Sequence, residues 1–168
     1  DILKQAENAY IVLKPFQNTL TSDHKFIDRV KKAAVEAGVA NRLIFVSPLK
    51  NAGDLMGLLV LADVQLDTYP YGGWTTNLEA LYYHIPIVTQ EGNMARNRWG
   101  AGLIRQLGIE DGIARNEKEY VDWAVRFAKD ENLRRSVSER IEQKAKATLF
   151  NGEAGQAVYE TTLLHICK

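Results

Sequence analysis

The chain has 168 residues, with 21 basic and 21 acidic side chains. That is long enough for one domain with a sizeable core, and too evenly charged for a global field aimed at nucleic acid or an anionic membrane. One cysteine, Cys167, excludes an internal disulfide framework and suits a reducing, cytoplasmic compartment; no apolar run reaches the roughly eighteen residues of a membrane span, and no signal-peptide pattern opens the chain.

Residues 1–8 read as the end of a helix, and Ala9-Tyr10-Ile11-Val12-Leu13 as a β-rich apolar run. A sheet protein that starts on a helix tail implies an earlier strand and helix upstream. After the loop at Lys14-Pro15-Phe16-Gln17-Asn18, Thr21 or Ser22 can cap a helix over Asp23–Ala37, with Phe26, Ile27, Val30, Ala33, Ala34 and Ala37 at helical spacing and Gly38 at its C-terminal cap. Arg42–Val46 is the next strand. Asn51 can cap the helix Leu55–Leu61, whose near-uniform hydrophobicity implies burial on more than one side.

The chain is organised around the stretch from Asp63 to Thr89. Val64–Asp67 reads as a strand, Tyr69-Pro70-Tyr71-Gly72-Gly73 as a turn, and Thr75-Thr76 as the start of a helix with Leu78, Ala80, Leu81 and Tyr82 on its packed side. Ile85–Thr89 is a second strand. Further on come a helix over Met94–Leu107 ended by Gly108, an edge strand at Gly112-Ile113-Ala114, and helices over Glu117–Lys129, Asn132–Ala147 and Glu153–Ile166. The alternation gives an α/β fold: a parallel sheet with helices on both faces, right-handed crossovers and a helical tail over residues 116–168. Tyr159, Leu163, Leu164 and Ile166 form a stripe expected to pack back across the domain or toward a missing N-terminal half.

A strand, a glycine turn, a helix start and another strand make half of a nucleotide-binding unit. Four unpaired N–H groups and about half a positive charge gather at such a helix start, which suits a phosphate. Thr75 and Thr76 are candidates to hold a diphosphate through their hydroxyls and the N–H groups behind them, Asn77 included; plain helix capping is the competing explanation. Gly72 and Gly73, lacking a Cβ, let a ligand approach the backbone. Glu79, one turn along the same face, is placed to accept from ribose hydroxyls, or is simply a solvated first-turn glutamate. Trp74 either stacks on a sugar or base or packs against the next loop. Lys50 and Asn51 follow a strand at the carboxyl edge where ligands of open α/β sheets collect, with Lys14 a weaker parallel. Arg96, Arg98 and Arg105 can aid a phosphate or form a basic exposed face. His24, His84 and His165 never take metal-ligand spacing, no catalytic triad stands out, and the turn lacks the GK[ST] of a P-loop.

The segment LDTYPYGGWTTNLEALYYHIPIVT resembles the donor-binding segment of the O-linked N-acetylglucosamine transferases and the bacterial cytoplasmic protein N-glucosyltransferases. The shared features are Leu66-Asp67-Thr68, Pro70 with Gly72-Gly73, Thr75-Thr76, Glu79, and Pro86 with Val88. The resemblance extends loosely over residues 9–150, through RLIFVSP before the segment and EGNMARNRWGAGLIRQLGI and NEKEYVDWAVRFAKD after it. Trp74 stands where the family often has histidine, and Glu79 where it often has aspartate. Of the lysine and histidine that flank uracil in many members, Lys50 is the nearest lysine and Leu55 falls roughly at the histidine.

The resemblance implies the C-terminal, Rossmann-like domain of a GT-B glycosyltransferase, lacking its first strand, in which residues 1–168 form one nucleotide-sugar-binding domain. It implies an inverting, metal-independent transfer of GlcNAc or glucose from a UDP-sugar to protein side chains, with no cofactor beyond that donor substrate. Thr75 and Thr76 would take the pyrophosphate and Glu79 the ribose; the family's phosphate-binding lysine would lie on an upstream element, and the acceptor site and any catalytic base would come from an N-terminal domain of the same enzyme. Two other readings stay open: an epimerase or a lipid or saccharide transferase of the same fold, and a non-catalytic Rossmann-like scaffold.

Overall fold

The structure, a computed structural model, describes residues 1–14, 21–46, 49 and 51–166. Helices α1 (Ile2–Gln5), α2 (Thr21–Glu36) and α3 (Ala52–Val60) alternate with strands β1 (Ile11–Leu13), β2 (Leu43–Phe45) and β3 (Gln65–Leu66). Helix α4 (Thr75–Tyr82), strand β4 (Ile87–Gln90), helix α5 (Trp99–Gln106) and strand β5 (Ile113–Ala114) follow. Helices α6 (Glu117–Lys129), α7 (Glu131–Thr148) and α8 (Gly152–Ile166) end the chain.

All strand pairings are parallel. Ile11 lies opposite Leu43 in the pair β1–β2, while Gln65 faces Ile87 and Thr89 faces Ile113 in the triplet β3–β4–β5. No ladder joins the pair to the triplet among the described residues, so the expected sheet is present in two pieces. A cavity of about 550 Å³ lies between them, lined by Ile11 of β1, Asp67 and Tyr69 beyond β3, Gln90 at the end of β4 and Tyr120 of α6.

Successive strand residues point to opposite faces, and Ile87, Val88 and Thr89 are all buried. Strand β4 is therefore covered on both sides, and α5 and α6 both pack against it. Phe127 of α6 and Val137 and Ile141 of α7 are buried in the same core as Leu81 and Leu103, which makes α6 and α7 part of the domain's interior. A second, small cluster of Leu3, Ala34 and Val39 sits under β1 and β2. Arg42 ties α1 to it, its guanidinium donating to the Leu3 and Ala6 carbonyls over 2.6 and 2.7 Å. Gly38 and Gly108 follow α2 and α5 with φ of +70° and +65°, the left-handed geometry that a side chain disfavours.

Several expectations are corrected. Helix α3 is not buried on more than one side: Leu61, just past its end, is 82% exposed, and Val60 is exposed too. On α2, Phe26 and Ala33 face outward, and Tyr82 of α4 is exposed against the edges of Tyr83 and Phe150. The expected helix over Met94–Leu107 begins late. Asn97 accepts the Met94 N–H through Oδ1 at 2.8 Å, closing a 3₁₀ turn at Ala95–Asn97 before α5 starts at Trp99. The stripe on α8 forms as a helix but is not buried, Ile166 being 72% exposed.

Candidate functional site

The site begins at a carboxylate buried where strand β3 ends. Asp67 is 5% exposed, and an ionised group so placed must be met by donors. Its Oδ1 accepts the N–H of Gly73 at 2.7 Å and of Thr68 at 3.0 Å, and its Oδ2 accepts the Thr89 hydroxyl of β4 at 2.7 Å. The Tyr120 phenol of α6 donates to the Asp67 main-chain carbonyl over 2.8 Å. Burial, and then the Asp67 charge, push the Tyr120 phenol well above its ordinary value, so it remains a neutral donor. A Cβ on Gly100 of α5 would lie 2.6 Å from both Asp67 Oδ2 and Thr89 Oγ1, so α5 approaches only because that position is glycine.

This network folds the turn back under the start of α4. Gly72 donates its N–H to the Arg96 carbonyl at 2.8 Å and Gly73 donates to Asp67, so both turn N–H groups are spent inside the protein. A Cβ on Gly73 would overlap the Thr76 hydroxyl, which explains the glycine without invoking a ligand. Asn77 is fully buried; its Nδ2 donates to the Gly73 carbonyl at 2.6 Å, while its Oδ1 has no partner. An unpaired buried acceptor costs about 1–3 kcal/mol, a cost found where structure serves a site. The Asn77 side chain is therefore part of the scaffold, and only its backbone N–H faces the helix mouth.

Helix α4 opens on Trp74 with no side-chain cap. Helices α3, α6 and α7, by contrast, are capped by Asn51, Asn116 and Asp130, each accepting an N–H three residues on at 2.9–3.0 Å. Thr75 and Thr76 are the first two helical residues and are exposed, so neither caps the helix. The helix start is left with its positive end facing solvent. Glu79, half-buried, lies one turn on from Thr75. Trp74 is 50% exposed and packs its ring edgewise on Trp99, which in turn meets Tyr71 edgewise, with centroids 6.3 and 5.5 Å apart.

The structure thus places Gly72, Gly73, Trp74, Thr75, Thr76, Asn77 and Glu79 at the α4 start and makes Asn51 the cap of α3. Asn51 Oδ1 is engaged with the Asp54 N–H, and no hydrogen bond joins it to the α4 start among the described residues. Lys50 lies outside the described residues. Lys14 is exposed after β1. Two of the three arginines are committed elsewhere. Arg105 grips Glu91 through Nη1 and Nη2 at 2.7 and 2.9 Å and reaches Glu110 at 3.1 Å, and Arg98 reaches Glu91 at 3.4 Å. The Arg105 hydrogen bonds hold Glu91 below its ordinary 4.5. Arg96 stays exposed beside Gly72. Sequence reasoning gave Asp67 no role beyond the shared Leu66-Asp67-Thr68 and gave none to Tyr120, Thr89 or Trp99; the local signal for Asp67 was an acidic residue closing an apolar strand. Among the described residues no cluster of three metal-ligating side chains occurs, and no helix is long and apolar enough to cross a membrane.

The family model for glycosyl transferase family 41 matches residues 1–157. The chain is 42% identical over 103 residues to the probable UDP-N-acetylglucosamine–peptide N-acetylglucosaminyltransferase SPINDLY of Solanum lycopersicum, covering 59% of this chain and 11% of that protein. An O-GlcNAc transferase from Thermobaculum terrenum superposes with a TM-score of 0.76 at 30% identity, over 87% of this chain and 28% of its own. The C-terminal domain of a glycosyl transferase group 1 family protein from Francisella tularensis superposes at 0.69 with 14% identity, over 87% of this chain and 72% of its own, a likeness of fold alone. The chain spans about a tenth of the curated relatives' length.

Proposed function

The chain belongs to glycosyl transferase family 41, and from that premise we propose that it is the donor-binding, C-terminal part of a GT-B enzyme that transfers a sugar from a UDP-sugar to protein side chains. The observation that carries the reading is the bare start of α4. Its exposed Thr75 and Thr76 sit on a helix end with no side-chain cap, held in place by the buried Asp67 network. The diphosphate lies against the N–H groups of residues 75–77 and the two threonine hydroxyls, and Glu79 takes the ribose hydroxyls. Exposed Arg96, beside Gly72, is within the same surface.

During transfer, negative charge develops on the departing nucleoside diphosphate. The helix start offsets it electrostatically, a task that a metal performs in other transferases. The relatives' names support GlcNAc as the sugar and a peptide as acceptor. The acceptor site and catalytic base belong to an N-terminal domain, so this chain alone binds donor weakly and transfers nothing. Titration calorimetry with UDP tests the reading. Thr76→Ala combined with Glu79→Ala weakens UDP binding by about 2–4 kcal/mol, since each change removes a hydrogen bond to a charged or buried group. A double variant that binds UDP like the parent places the site elsewhere.

A further inference from the structure

We propose that Asp67 and Asn77 are positioning residues that clamp the Gly73 peptide so that the mouth of α4 presents N–H groups and no carbonyl; the proposal rests on the diphosphate reading above. The two jaws grip opposite ends of one residue. Asp67 Oδ1 takes the Gly73 N–H at 2.7 Å, and Asn77 Nδ2 takes the Gly73 C=O at 2.6 Å. Both side chains are buried, Asn77 completely, so neither touches a ligand; they act through the backbone between them.

The need for such a device follows from charge. A peptide carbonyl carries a partial negative charge, and one turned toward an anion at a helix start cancels much of what the N–H groups supply. Glycine is the residue whose peptide flips most freely, and Gly73 stands directly before Trp74, the first residue of the helix end. Left unheld, its carbonyl is free to swing toward the bound diphosphate. Asn77 prevents this from one turn within the helix itself, and leaves its own Oδ1 unpaired to do so. Asp67 is anchored in turn by Thr89 of β4, so the clamp refers the mouth to the central strand of the triplet.

The test compares UDP with uridine on the 168-residue chain, UDP by calorimetry and uridine by amide chemical shifts. Asn77→Leu keeps the number and branching of the side-chain heavy atoms and removes the Nδ2 donor. It raises the UDP dissociation constant at least tenfold and leaves that of uridine within twofold, because only the phosphate-binding half is disturbed. Asn77→Ala, which removes the donor without adding a charge, gives the same split should the leucine variant fail to fold. Asp67→Asn retains an acceptor for the Gly73 N–H, and its UDP dissociation constant rises less than that of either Asn77 variant. UDP binding unchanged by both Asn77 variants overturns the clamp, and so does an equal loss for UDP and uridine, which marks a general structural role. A folded parent chain that takes no UDP at all overturns the diphosphate reading itself, a result distinct from failure of the clamp.

Discussion

The Tyr120 phenol donates to the Asp67 carbonyl over 2.8 Å, a bond between the first turn of α6 and the end of β3 that fixes the base of the α4 turn. Tyr120→Phe removes the donor and leaves a part-buried carbonyl unpaired. Urea unfolding of the variant is expected to show a loss of about 1–2 kcal/mol with an unchanged m-value. Stability equal to the parent's means that this bond does not hold the turn.

Gly100→Ala tests the packing behind the same carboxylate. The added methyl would fall 2.6 Å from Asp67 Oδ2 and from Thr89 Oγ1, and overpacking of this kind costs about 1–3 kcal/mol. Thermal melting is expected to drop accordingly, with UDP binding weakened as the Asp67–Gly73 bond is pushed out of line. An alanine variant as stable as the parent and equally able to bind UDP contradicts the tight approach of α5.

The Glu91–Arg105 pair predicts a pH dependence with a definite sign. Arg105 holds Glu91 below its ordinary 4.5, so the pair's contribution is present above that value and fades as the pH falls through the lowered one. Arg105→Gln therefore melts below the parent at neutral pH, and the two melting temperatures converge as the pH falls below the lowered value, where the carboxyl is protonated in both states. A gap as wide at low pH as at neutral pH assigns the loss to something other than this ion pair.

The α8 stripe makes the opposite prediction. Leu163 and Leu164 are 43% and 69% exposed, and substitutions at such positions stay within about 0.5 kcal/mol. Leu164→Glu in this chain is expected to melt with the parent. A drop of several degrees shows that α8 packs on the domain.

How far the sequence carried is best seen element by element. Helix α6 matches the expected Glu117–Lys129 because its signals are local: the Asn116 cap, acidic first turn and basic last turn all lie within the helix or next to it. The placement of Thr75, Thr76 and Glu79 in the opening turns of a helix was legible for the same reason, since the glycine turn and the threonines are adjacent in the chain. The region after Glu91 was misread because Asn97 folds back on Met94 and breaks a helical period that looked continuous. Asp67 and Tyr120 went unassigned because their contact joins residues far apart in the chain, which periodicity does not report. The exposed faces of α3 and α8 were expected to be buried because hydrophobicity signals a tendency to pack, and among the described residues no neighbour covers these faces.

The most direct test of the diphosphate site is an amide-resolved titration of the chain with UDP. The account predicts that the largest perturbations fall on the N–H groups of Thr75, Thr76 and Asn77, with Glu79 next and the β1–β2 amides unmoved. Perturbations that instead centre on Ile11, Gln90 and Tyr120, around the cavity between the two sheets, contradict it.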